Sequence, residues 1–287
     1  MNSERAIGIT DHKQFGLAEE QIAFYRENGY LHLPAIFTRE EAAYLRAEAH
    51  ALIQRLAAAR GGEQALHAQW GSAKLVSDAP TTLLHCHNAQ FHSAAFTRLI
   101  CDPRLTDRIA DLIGPNIQLH HTKLFIKPPE RGAPFPMHQD YPYFPHEKHT
   151  MLAAIVFFDD APIEKGCLLV VPGSHKLGPI PHDREGGWHL PVAEYPLERA
   201  TPVPAQAGDV VVFNYLTIHG SGVNTTQEAR TTLLIQMRDP TDHPTVATHL
   251  SRGQGMMLRG IDPEADAEPD TGSASRYLRA LGAGGPR

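Results

Sequence analysis

Apolar positions recur along this chain in two different periods, and the change from one to the other divides it. In the first third the period is helical. Helix formers run from Ala18 to Asn28 and stop at Gly29, a residue free to take the left-handed backbone that closes a helix. Tyr30 to Pro34 alternates and predicts a short strand. Thr38-Arg-Glu-Glu41 is a capping box, in which the Thr38 hydroxyl takes a backbone N–H and Glu41 reaches back. The helix it opens carries Leu45, Ala49, Leu52 and Leu56 on one face and ends at Gly61-Gly62. Pro103 to Ile113 predicts another, with proline in its first turn and Gly114 after it.

From Asn116 onward the apolar runs are short and β-branched: Ile117 to Lys127, Thr150 to Phe158, Cys167 to Val171, Asp209 to Phe213 and Thr231 to Met237. Turns rich in proline and glycine separate them. Strands without intervening helices predict a sandwich or barrel rather than a parallel sheet. Pro179 to Pro204 reads as a long loop of the kind that walls a binding site. Asp262 to Ser275 predicts a mobile stretch before a final short helix at Arg276 to Leu281. No repeat or clean linker divides the chain. One domain over residues 1–287 is expected, with a helical flank at about 17–115, a β core at about 116–240 and a partly mobile tail.

Composition narrows the function classes. The chain has 287 residues, of which 42% are hydrophobic, enough for a sizeable core. A formal charge of −6 leaves no basic excess to neutralise phosphates, which argues against nucleic acid as a partner. Cys86, Cys101 and Cys167 make neither a disulfide framework nor a paired zinc motif, and point to a reducing, cytoplasmic setting. The opening MNSERAIGIT lacks an apolar signal core, and no long apolar run predicts a membrane span. Histidine is the outlier, at 18 residues. It is the commonest metal ligand at neutral pH, but only spacing separates ligands from surface and capping residues.

Three features carry the chemistry. His138 and Asp140 are two apart, so in extended backbone they point to one side. His219 precedes Gly220-Ser221-Gly222 just beyond a predicted strand. Arg230, eleven residues further on, opens the strand Thr231 to Met237. Each alone is weak: a loop histidine bonded to its neighbour, a strand-end histidine or a surface arginine would look the same. Together, two imidazoles and a carboxylate on a β scaffold form a facial triad. Such a triad leaves three coordination positions open and suits non-haem Fe(II). A chelating 2-oxo acid with a distal carboxylate then needs a cation at its far end, and Arg230 is the candidate.

IKPPERGAPFPMHQDYPYFPHE, GCLLVVPGSHKLGPIPHD and HGSGVNTTQEAR resemble, in order, the blocks of the phytanoyl-CoA dioxygenase family of Fe(II)/2-oxoglutarate oxygenases. LAEEQIAFYRENGYLHLPAIFTREEAAYLR is similar to that family's N-terminal region, so the likeness runs from about Leu17 to Met237. It implies a mainly β fold, a double-stranded β-helix (jelly-roll) core with flanking N-terminal helices. It also implies Fe(II), 2-oxoglutarate and O₂ as reactants, and His138, Asp140 and His219 as metal ligands. Arg230 would take the C5 carboxylate of 2-oxoglutarate, with Gln118, His120, Lys123 and Ser221 as further cofactor-binding candidates. Related halogenases replace the carboxylate ligand with a small residue, so the presence of Asp140 favours hydroxylation.

Gln139 and Asn224 either serve the site or orient loops, and His121 and His175 are candidates for its surroundings. Gln118, His120 and Thr122 share one face of the Ile117 strand, and His121, Lys123 and Phe125 the other; one of the two faces should line the pocket. Tyr141, Tyr143, Phe144 and Trp188 are further wall candidates. The expected substrate is a small molecule or an acyl-CoA, with Lys123, Lys127, Lys176, Arg184 or Arg252 available to its phosphates. The expected assembly is a monomer or small homo-oligomer. The competing reading is a cupin-like isomerase or ligand-binding module on the same fold. Arg230 discriminates, since a plain metal isomerase has no use for a buried arginine there.

Overall fold

The computed structural model describes residues 15–62, 66–68, 71–246 and 248–265. The helix expected at Arg276 to Leu281, and most of the stretch before it, lie outside the described residues. α1 (Glu19–Asn28) ends where Gly29 turns left-handed at φ 78°. β1 (Tyr30–Leu33) follows. α2 (Arg39–Ala59) is opened by the expected capping box, with Thr38 accepting from the Glu41 amide and Glu41 accepting from the Thr38 amide. Such a cap contributes about 1 kcal/mol. Leu45, Ala49 and Leu52 are buried, and Leu56 packs at the edge of the same cluster.

β2 (His67–Ala68) and β3 (Leu83–His87) come next, then α3 (Ala94–Ile100) and α4 (Pro103–Ile113). Besides the expected β1, the helical flank therefore also supplies β2 and β3. Their apolar runs are too short, and too rich in histidine, to stand out as strands. β4 (Ile117–Lys127), β5 (Phe135–His138), β6 (Leu152–Phe157) and β7 (Leu168–Val170) follow. Then come β8 (Thr201–Val203), β9 (Val210–Asn214), β10 (His219–Ser221), β11 (Arg230–Arg238) and β12 (Met257–Arg259).

Every strand pairing among the described elements is antiparallel. The larger sheet has the order β1-β9-β6-β11-β4-β3-β2, with β12 on β4; the smaller has the order β5-β10-β7-β8. Together they make the double-stranded β-helix core, with the N-terminal helices on one side. Alternation along the strands decides what each face meets. On β9, Val210 and Val212 join the cluster under the helices, while Val211 and Phe213 join the one between the sheets. On β11, Leu233, Ile235 and Met237 face the helices. Thr232, Leu234 and Gln236 turn inward and line a cavity. The larger sheet is thus covered on both faces, which explains why its strands read as nearly continuous apolar runs. Among the described residues no helix is long and apolar enough to cross a membrane.

Candidate active site

His138 ends β5, and His219 opens β10 directly across the sheet from it. Gly220 makes this approach possible. A Cβ there would stand 2.6 Å from the Phe135 carbonyl oxygen. Asp140 lies beyond the strand, at φ −75° and ψ −22°, so a turn rather than extended backbone aims its carboxylate at the histidines. The Asp140 amide donates to the Tyr215 carbonyl at 2.9 Å and fixes that turn.

His138 Nε2 and His219 Nε2 stand 3.8 and 3.9 Å from Asp140 Oδ1. One ligand atom from each residue lies within 4.8 Å of the other two. The remaining ring nitrogens are occupied: His138 Nδ1 bonds the Pro136 carbonyl at 2.8 Å and His219 Nδ1 the Thr217 carbonyl at 2.9 Å. A carbonyl only accepts, so each Nδ1 carries the proton and each Nε2 offers a lone pair. Gln236 Nε2 donates to Asp140 Oδ2 at 2.6 Å, leaving Oδ1 for the cluster. Burial and the neighbouring His219 hold His138 well below the usual imidazole range, so it is neutral and ready to ligate. Two bare nitrogens and one bare carboxylate oxygen, converging on a point, are the donor set that Fe(II) takes.

The three residues open into a cavity between the sheets that communicates with solvent. Lys123, Ser221 and Arg230 also line it. Gln118 and His120 do not. A bulge opposite Gln236 and Met237 breaks the alternation of β4 between Leu119 and His121. His120 is thereby turned into a ring cluster with Phe144 and His146, and Gln118 is engaged by Arg238. The expected pair of faces therefore survives only for His121, Lys123 and Phe125, which do line the cavity.

Arg230 is 6% exposed, and burial pushes its guanidinium down to about 10. Its Nη1 donates to the Gly166 carbonyl, while Nε has no partner. Gly166 is required there: it sits at φ +71°, and a Cβ would come 2.5 Å from the Gly222 oxygen. Lys127, directly opposite Arg230 in the β11–β4 register, was a candidate for binding a CoA phosphate. Instead it is fully buried, donating to Ser221 Oγ at 2.7 Å and to the Gly222 carbonyl at 2.6 Å. Burial, reinforced by Arg230, drives its ammonium well below the usual lysine range. An ammonium only donates, so Ser221 Oγ is the acceptor and its own O–H is free to donate into the cavity. Two buried cations without a carboxylate partner are costly unless an anion arrives. Sequence reasoning missed this role of Lys127; its place opposite Arg230 depends on strand register.

Other candidates have structural duties. Gln139 donates to the Gly178 and Leu216 carbonyls and accepts from the Ile180 amide, tying loops together. Asn224 donates to the carbonyls of Lys127, Pro128 and Glu228. His175 bonds the Arg26 carbonyl on α1, away from the cavity. Lys176 pairs with Glu27, Arg184 lies over Trp188 and Arg252 over Phe91. Tyr143 and Phe144 are cavity walls; Tyr141 packs on Tyr215 and Trp188 is not part of the lining.

Comparison with known proteins now decides the class. The phytanoyl-CoA dioxygenase (PhyH) family profile matches residues 25–232. The chain belongs to this family. Rat peroxisomal phytanoyl-CoA dioxygenase is 31% identical over 75% of this chain and 66% of its own length. Ectoine dioxygenase of Bordetella parapertussis is 28% identical over 72% of this chain and 71% of its own. The epimerase SnoN, solved with Fe³⁺, alpha-ketoglutarate and nogalamycin RO, superposes with a TM-score of 0.66 at 27% identity, over 84% of this chain and 98% of its own. This PhyH protein is an Fe(II)/2-oxoglutarate-dependent dioxygenase, with iron as cofactor and 2-oxoglutarate as cosubstrate. The family match supports the dioxygenase reading over the cupin-like isomerase or ligand-binding module.

Proposed function

We propose that this dioxygenase hydroxylates an unactivated C–H bond of a small organic molecule or acyl thioester. In this reading His138, Asp140 and His219 hold the iron, and 2-oxoglutarate lies between that iron and Arg230. The observation that carries it is a cavity with a bare N, N, O donor set at one level and a buried arginine whose Nε has no partner at another. Bound iron supplies oxygen activation, with 2-oxoglutarate giving the electrons and leaving as succinate and CO₂.

The protein's own groups hold and orient. Pro136 and Thr217 carbonyls fix the histidine tautomers, and Gln236 fixes the carboxylate. Along β11, Arg230 and Gln236 are inward residues six apart, or about 20 Å at 3.3 Å per residue. The long arginine side chain and the cosubstrate share that span. Arg230 and the Ser221 hydroxyl then meet the distal carboxylate, with Lys127 holding Ser221 in its donor orientation. Aromatic side chains, Phe125, Phe135, Phe157 and Phe213 among them, line the chamber. Asp140 fills the third ligand position, which supports hydroxylation over halogenation. Free Cys86, Cys101 and Cys167 support a reducing, cytoplasmic setting, with the chain working as one oxygenase domain.

The test is a substrate screen read as 2-oxoglutarate-dependent succinate release. Release stimulated by a compound that is recovered carrying one more oxygen supports the proposal. Succinate release that persists unchanged in Asp140→Ala contradicts it.

A further inference from the structure

Two basic side chains of the cavity lining are left over once iron and cosubstrate have taken their places. The first is Lys123, on β4 opposite Leu234. It lines the cavity, and among the described residues its ammonium has no hydrogen-bond or ion-pair partner. Asp140, already committed to the metal, is the one side-chain carboxylate in the cavity lining. The second donor is His121, which is 2% exposed. Gln254 Nε2 lies 2.8 Å from His120 Nε2, and His120 Nδ1 lies 2.7 Å from His121 Nδ1. An amide N–H₂ only donates, so His120 accepts at Nε2 and carries its proton on Nδ1. It therefore donates to His121 Nδ1, and neutral His121 must carry its own proton on Nε2. Among the described residues no group accepts that proton, and the ring borders the cavity.

We infer that Lys123 and His121 bind an oxyanion of the substrate, so that the molecule oxidised is a small organic acid with an apolar body. The inference rests on the oxygenase reading above. Ferrous iron and Arg230 offset Asp140 and dianionic 2-oxoglutarate, Lys127 stands behind Ser221 at the distal end, and both carboxylates of the cosubstrate are engaged, by iron and by Arg230. With Asp140 committed to the metal, Lys123 has no anion of its own in the lining. An amide or thioester carbonyl offers no charge to meet it, and a carboxylate offers two oxygens for two donors. Phe144 and Tyr143 provide the apolar wall beyond.

The probes are straight-chain carboxylates from butyrate to dodecanoate, with their primary amides and coenzyme A thioesters. They are added anaerobically to the Fe(II)/2-oxoglutarate protein, and the visible absorption of the complex is followed. A charge-assisted pair is worth about 1.5–3 kcal/mol, so acids should perturb the band at about ten- to a hundredfold lower concentration than their amides. Lys123→Met should erase that preference and Lys123→Arg retain it. Neither variant should change the 2-oxoglutarate requirement by more than about twofold. Without ligands, Lys123→Met should melt no lower than the parent, because it removes an unpaired buried ammonium. Amides or thioesters as effective as acids would overturn the inference. So would a raised 2-oxoglutarate requirement in Lys123→Met, which would give the lysine to the cosubstrate, or a marked loss of melting temperature, which would make it structural. If the parent protein forms no band with Fe(II) and 2-oxoglutarate, it is the oxygenase reading that fails first.

Discussion

Two groups of histidines reach the same cavity, the first through His138 and His219 and the second through His121 alone, and they differ in what their nitrogens present to it. His138 and His219 each spend Nδ1–H on a backbone carbonyl and turn a lone pair inward, beside a carboxylate oxygen. His120, His121 and His249 cluster within 6.0 Å of one another by ring centroid, yet among the described residues no carboxylate joins them. There His121 turns a proton inward instead. Proximity of imidazoles is therefore no mark of a metal site. The tautomer, set by what the far nitrogen bonds, separates a ligand from a donor.

The sharpest break between the groups is by substitution. Asp140→Ala or His219→Ala should weaken Fe(II) binding by more than about a hundredfold, beyond the 10–100-fold typical of losing an outer partner. His249→Gln, in the second group, should leave it within about twofold. Equal losses, measured by anaerobic Fe(II) titration, would erase the distinction. Next in size, Arg230→Ala should raise the 2-oxoglutarate requirement about a hundredfold, and Lys127→Met about tenfold, with iron affinity kept. A 2-oxo acid without a distal carboxylate should show neither effect. Gln236→Leu should lower iron affinity about tenfold by freeing the Asp140 carboxylate, at the low end for such a partner.

The smallest effect sharpens the second group. Burial holds His249 at about 3 and His146 at about 4, and pushes His120 and His121 well down. Below pH about 6.5 the unfolded chain takes up protons on these residues that the folded chain refuses. Stability should therefore be full above that pH and be lost as pH falls toward 4. His249→Gln should flatten the melting-temperature profile across this window by a few degrees.

Much of the fold was legible because it is written in local chemistry. Gly29, the Thr38 capping box and Pro103 mark helix ends wherever they occur, and β4 and β11 are long enough for their apolar runs to show. β10 was hidden, because three residues with a glycine at the centre carry no alternation. For the site, the spacing of His138, Asp140, His219 and Arg230 was informative, although Asp140 reaches its place by a turn rather than by extended backbone. The faces of β4 were misread at Gln118 and His120 because a one-residue bulge leaves no trace in composition. Lys127 stood among five candidates for a CoA phosphate because a lysine looks the same on a surface as under a serine. Such features depend on register and tertiary contact, which a single strand cannot announce.

The central claim is that one cavity holds iron on His138, Asp140 and His219 and 2-oxoglutarate against Arg230. Its most direct test is an anaerobic titration of the protein with Fe(II) in the presence of 2-oxoglutarate, following the weak visible charge-transfer band. The parent should develop the band at one iron per chain, Arg230→Ala should need far more 2-oxoglutarate to do so, and Asp140→Ala should not develop it. A folded parent that forms no band, or an Asp140→Ala protein that forms it as the parent does, would contradict the account.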